Sequence, residues 1–176
     1  MKYIVPDGCY FRSVAGVEFH AGEKLPENYR LKKGDMLLSQ DYCYDYLGRN
    51  TGGWHISVKD PRKEEYESIL SDIAGKPVIN MSYTFEGCTS LTTAPTIPNS
   101  VTNMNGTFSY CTSLTTAPTI PNGVTDMEET FSGCTSLTGT IEINANPTRY
   151  DKCLKDTQIT AVTGLTTLKA RILATK

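Results

Sequence analysis

Basic side chains are missing from the middle of this 176-residue chain. From Met81 to Thr148 there is no lysine or arginine, against five acids: Glu86, Asp126, Glu128, Glu129 and Glu142. With a net charge of −2 and a pI near 5.7, nothing draws the protein to nucleic acid or to an anionic membrane. The cations Arg149, Lys152, Lys155, Lys169, Arg171 and Lys176 gather at the end and read as a solvated cap face. Histidine is equally scarce, with only His20 and His55. No CxxC pair, HExxH, phosphate-cradling GxxxxGK[ST] or EF-hand pattern is present, so neither metal nor cofactor is expected. No apolar run is long enough for a signal peptide or a membrane span, which predicts a soluble, cytoplasmic protein. Without an export signal, the cysteines Cys9, Cys43, Cys88, Cys111, Cys134 and Cys153 are a weak case for a disulfide framework.

Repetition is what the sequence has in abundance. CTSLTTAPTIPN occurs at Cys88–Asn99 and again at Cys111–Asn122, and the chain aligns without gaps in rows of 23 that begin at Met81, Met104 and Met127. A degenerate row starts at Tyr150, and GKPVINM at Gly75–Met81 matches the end of a row. Such a period signals stacked coils, none of which can bury its apolar side alone. The apolar columns are Met81/Met104/Met127, Phe85/Phe108/Phe131, Cys88/Cys111/Cys134, Leu91/Leu114/Leu137 and Ile97/Ile120/Ile143. Met, Phe and Cys, at i, i+4 and i+7, predict one side of a helical turn; Leu then opens a short Thr-rich extended segment. Equivalent residues would stack about 4.8 Å apart, so a side chain that packs well once packs well again. The Cys column reads as small buried residues. Pro95/Pro98 and Pro118/Pro121 flank the extended segment and give way in the third row to the better strand former Ile141–Asn144.

The rows TFEGCTSL, TFSYCTSL and TFSGCTSL, followed by IPN-V-T or INAN-P-T segments, resemble BspA-like leucine-rich repeats. The LTTAPTIPNSVTNM rows and closing LTGTIEINANP row are similar to short repeat proteins of gut Firmicutes and their phages and prophages. The resemblance covers about residues 75–163 and implies a leucine-rich-repeat solenoid that binds another protein.

The expected fold is α+β: a small N-terminal antiparallel β unit (1–59), a capping helix (60–75), repeat coils (76–149), and a degenerate repeat with a C-terminal helical cap (150–176). In the first unit, Tyr42, Tyr44 and Tyr46 oppose Trp54, Ile56 and Val58 across a hairpin. That face either fills a core or offers a recognition patch. KYIV, CYFR and MLLS are further strands. For the first cap, Asp60 suits an N-cap, Pro61 the first helical position, and Tyr66, Ile69, Leu70 and Ile73 form a helical stripe. For the second, Leu168, Ile172 and Leu165 should face inward.

Binding rather than catalysis is the work expected. Cys9 or Cys43 with either histidine could form a dyad, but no spacing signature supports it. The first-choice partner surface is a hydroxyl platform of Thr92, Thr93, Thr96, Thr115, Thr116, Thr119 and Thr138, with Glu142 interrupting its end. Thr is also simply a good exposed strand residue. The second choice lies on the helical side, where the rows differ: Tyr83, Tyr110, Glu128 and Glu129. The resemblance implies a protein partner of a bacterial host, such as a defence component to be inhibited. The alternative is a structural or adhesive module of a virion or cell surface that binds a receptor or glycan.

Overall fold

A computed structural model describes residues 2–176, and its architecture is almost entirely strand and turn. Seven strands form one curled, half-barrel sheet: β1 (Tyr10–Arg12), β2 (Glu18–His20), β3 (Met36–Leu38), β4 (Tyr42–Tyr46), β5 (Trp54–Val58), β6 (Asp72–Ile73) and β7 (Lys76–Asn80). Their order is β2-β1-β3-β4-β5-β7-β6. The hairpin forms as its alternation predicts, with Tyr42 opposite Val58, Tyr44 opposite Ile56 and Tyr46 opposite Trp54. All but the half-buried Val58 are buried, so this aromatic face is core and not a recognition patch. Trp54 Nε1 donates to Ile73 O at 3.1 Å, meeting the one polar need of the ring.

From Met81 the chain winds into coils whose phenylalanines lie in a column. The Phe85 and Phe108 rings are 5.3 Å apart at 1°, and those of Phe108 and Phe131 are 5.4 Å apart at 5°. The expected helical turn is not helical. Thr84, Glu86 and Cys88 N–H bond three residues back, whereas Met81, Tyr83, Phe85 and Gly87 N–H donate to Asn103, Asn105, Thr107 and Ser109 of the next coil at 2.8–2.9 Å. Left-handed residues every fourth position, Tyr83 (φ 56°) and Gly87 (φ 70°), stop the helix and aim alternate amides at the neighbouring coil. The apolar columns nonetheless face inward, because i, i+4 and i+7 also share a side of this run of turns.

Two hydrogen-bonded columns reinforce the stack. Thr107 Oγ1 lies 2.8 Å from Met81 O and 2.9 Å from Met104 O, and Thr130 repeats this one coil on. Thr84 reaches Ile56 O at 2.7 Å instead, so β5 takes the place of a preceding coil. The cysteine column is more than small filler. Cys111 Sγ donates to Phe85 O at 3.1 Å and Cys134 Sγ to Phe108 O at 2.9 Å. Burial pushes these thiols up, Cys134 to about 12.

Residues 60–75 are not a helix. Their backbone is held by the sheet's side chains, which removes the need for i→i−4 bonds. The Tyr42 hydroxyl donates to Glu67 O at 2.5 Å, Leu70 N donates to Tyr44 Oη at 2.9 Å, and the buried Asp41 carboxylate accepts Glu67 N at 2.7 Å and pairs with Lys63. Asp60 still caps locally, accepting Arg62 N at 3.0 Å. This irregular strap does cover the first coil, since Tyr66 packs on Phe85 with ring centroids 5.3 Å apart.

The far end closes with β8 (Thr138–Glu142) paired in parallel to β9 (Gln158–Thr163), and one five-residue helix, α1 (Lys169–Leu173). Ile172 is buried there as expected, but Leu165 is 77% exposed. The α+β expectation with helical caps at both ends is therefore corrected: α1 is the only helix among the described residues. The core runs without interruption from Phe11 in the sheet to Ile172.

Candidate functional site

The coils present two outward faces. On the extended side, Thr92, Thr93, Thr96, Thr115, Thr116, Thr119, Thr138 and Glu142 are all exposed. A continuous strand ladder does not underlie them. Only the third row forms a strand, β8, because the earlier rows carry prolines that lack the donor a ladder needs. Thr92 is also committed to the strap, its N and Oγ1 bonding Glu64 O at 2.8 and 3.2 Å. Thr96 and Thr119 come together in an open groove of about 380 Å³, with Asn99, Asn122, Asn144 and the exposed Leu165. Its lining is uncharged and mixes these polar side chains with Ile97, Pro121 and Leu165.

On the turn side, Tyr83 and Tyr110 are 50% and 58% exposed. Each ring lies over a glycine of the next coil: a Cβ on Gly106 would collide with Tyr83, and one on Gly133 with Tyr110. Both tyrosines hold positive φ, 56° and 59°, in columns where Gly106, Gly87 and Gly133 do the same. Glu128 and Glu129 are half-buried and already engaged, Glu128 with Arg149 and Glu129 with Lys152 at 3.5 Å. Arg149 also reaches Asp126 at 3.5 Å. Glu86 stands apart. It is exposed, and no hydrogen bond or ion pair of its side chain is found among the described residues.

The dyad candidates do not assemble. His55 is half-buried, and its Nε2 lies 2.9 Å from Ser82 O. Cys43 Sγ rests 3.7 Å from Met36 Sδ. Burial, then the neighbouring Asp45, pushes the Cys43 thiol up to about 11, the wrong direction for a nucleophile. Cys9 is raised by burial and Glu67, and His20 is exposed. No group of three or more metal-ligating side chains converges among the described residues.

The row alignment under-reported Thr84, Thr107 and Thr130, buried residues that tie coil to coil. Their signal was available, since Thr precedes Phe in every row, but a buried hydroxyl cannot be told from an exposed one by letter alone.

No helix among the described residues is long and apolar enough to cross a membrane. No curated protein and no solved structure matches the chain. A family profile described as BspA type leucine rich repeat region, in six copies, matches residues 78–171. Modules of this family are generally non-enzymatic and typically bind other proteins. The matched segment takes in the stacked coils, the glycine–tyrosine columns and both outward faces, and the chain belongs to the BspA-type leucine-rich repeat family.

Proposed function

We propose that this protein is a non-enzymatic module that binds another protein through the outward faces of its coils. What carries the reading is a division of labour within each row. Phe, Cys, Thr and Met side chains hold the stack together, while Tyr83, Tyr110 and most of the threonine face serve no packing role that requires their exposed parts. A surface already ordered by the coils loses little side-chain freedom when it docks.

The partner in this reading is a protein of a bacterial host cell, met in the cytoplasm, with the chain carried by a phage or prophage and acting to block a defence component. Support for those finer points is the resemblance of the LTTAPTIPNSVTNM rows to phage and prophage repeat proteins. The test is chemical crosslinking of the tagged chain in host cells, followed by isolation under stringent conditions. The expected result is one stoichiometric protein partner, lost when Thr96 and Thr119, or Tyr83 and Tyr110, are replaced. Recovery of the chain in purified particles or on intact cells, with no cytoplasmic partner, would overturn it and favour the adhesive alternative.

A further inference from the structure

We propose that the groove lined by Arg30, Arg49 and Lys76 is a binding site for a phosphate-bearing ligand. It belongs to the N-terminal sheet region, outside the repeats matched at 78–171, and so stands apart from the coil-face reading above.

Three separate stretches of chain build this groove of about 380 Å³. Tyr29 N donates to Pro26 O at 2.9 Å, a turn that brings in Tyr29 and Arg30. Tyr29 is pinned there, its hydroxyl donating to Asp35 at 2.7 Å and its ring set edge-on to Phe11 with centroids 5.7 Å apart. Tyr46 ends β4, and the loop that follows, closed by Leu47 N→Gly53 O at 2.9 Å, carries Arg49. Ala74 and Gly75, both left-handed at φ 54° and 78°, turn β6 into β7, which opens on Lys76.

The lining holds three cations and no acid. Arg30, Arg49 and Lys76 are exposed, and none has an ion pair or a side-chain hydrogen bond among the described residues. The acids bound to these stretches are spent on other donors. Asp35 is buried and accepts Val14 N, Lys32 N and Tyr29 Oη at 2.7–2.8 Å, and Asp72 accepts Gly75 N at 3.0 Å. Like charges delivered to one place by three segments repel, so their convergence does not serve the stability of the fold.

Tyr46 is an independent sign of a ligand. The residue is only 4% exposed, and its hydroxyl bonds to no described group. That hydroxyl is not sealed from solvent, as the unpartnered Tyr3 hydroxyl is, and the opening it has is the groove it lines. A neutral O–H donor thus waits beside three charges.

A phosphate monoester carries about −1.5 to −2 charges at neutral pH and three strong acceptor oxygens. A lone carboxylate, with a single charge, would leave most of the positive charge unmatched. The arginines supply forked N–H pairs and Lys76 a point charge. The volume falls in the lower range of small-molecule sites, which leaves room for an organic body on the phosphate. A phosphorylated small molecule and a phosphorylated side chain of a protein both offer this chemistry.

The test uses the full chain, ¹⁵N-labelled, titrated at constant ionic strength with inorganic phosphate, adenosine monophosphate and a phosphoserine peptide. Adenosine and the unphosphorylated peptide serve as controls. The expected result is shift changes centred on Tyr29–Leu31, Arg49 and Ala74–Lys76, with one of the two esters binding tighter than phosphate and neither control binding. Which ester is tighter tells the small molecule from the side chain, and either order upholds the site. Arg30→Gln and Arg49→Gln should each weaken binding about tenfold, as loss of a charge-assisted hydrogen bond does. Tyr46→Phe, which keeps the buried ring, should weaken it about threefold. Arg30→Gln, Arg49→Gln and Lys76→Gln together should abolish it with the melting temperature unchanged, since all three side chains are exposed. Shifts that are absent or centred elsewhere, a response to phosphate that neither ester improves, or unaltered binding by the triple variant would overturn the inference.

Discussion

Replacing Phe108 by alanine is the sharpest test of the stack, because this ring is sandwiched between two others at 5.3 and 5.4 Å and is fully buried. Alanine removes six ring carbons from a site that cannot collapse easily. The coils above and below are held at fixed spacing by Phe85 N→Thr107 O and Phe108 N→Thr130 O bonds of 2.8 Å. Phe→Ala in such cores costs about 3–5 kcal/mol, so about 4 kcal/mol is expected here. For a chain of this size that lowers the melting temperature by about 8–16 °C. Phe108→Leu should cost only about 1.5 kcal/mol, since leucine keeps most of the volume and Leu154 already fills the equivalent place in the last coil. Urea denaturation followed by far-ultraviolet circular dichroism reads both variants against an exposed control, Thr116→Ala, which should stay within about 0.5 kcal/mol of wild type. If Phe108→Ala behaves like Thr116→Ala, the column is not a stabilising core and the account of the repeat collapses.

Alkaline pH should unfold the protein early. Burial raises the thiols of Cys111 and Cys134, the latter to about 12, from an ordinary value of 9.0, and that of the half-buried Cys43 to about 11, so the neutral form is favoured in the fold. Their stabilisation is intact below pH 9 and is lost as pH climbs from there towards the folded values. At pH 10, Cys111 and Cys134 together should cost about 3 kcal/mol; an unchanged urea midpoint between pH 7.5 and 10 would contradict this. Gly106→Ala should destabilise more than Gly87→Ala, by about 1–2 kcal/mol, because both have positive φ but only Gly106 meets a tyrosine ring. The excess should vanish in a Tyr83→Gly background, as a double-mutant cycle measures. Asp41→Ala should cost about 2 kcal/mol and speed tryptic cleavage at Arg62 and Lys63, since Glu67 N and Lys63 lose their shared acceptor. Cleavage at the wild-type rate would refute the strap's dependence on Asp41.

Much of the core was legible because copying leaves columns. The 23-residue period alone predicts the column of Phe85, Phe108 and Phe131, and the alternation in the hairpin predicts the pairing of Tyr44 with Ile56. The strap was misread for a definite reason. Asp60, Pro61 and the Tyr66–Ile73 stripe are good local helix signals, but the groups that displaced the helix, the Asp41 carboxylate and the Tyr42 and Tyr44 hydroxyls, lie 25 or 26 residues upstream of the backbone groups they bind. Local propensity cannot weigh a distant side chain. The outward faces were only half legible. The threonines between buried Leu and Ile are exposed as expected, whereas Glu128 and Glu129, read as free partner-binding groups, are engaged by Arg149 and Lys152.

The sequence by itself determined that identical coils would pile identical side chains into a shared interior, since a 23-residue period admits no other burial of its apolar columns. Only the tertiary structure decided how the ends are closed and what the surface offers. Backbone groups at an end bond to whichever donor or acceptor folding brings near, and a charged side chain is free or spent according to neighbours the chain order does not reveal.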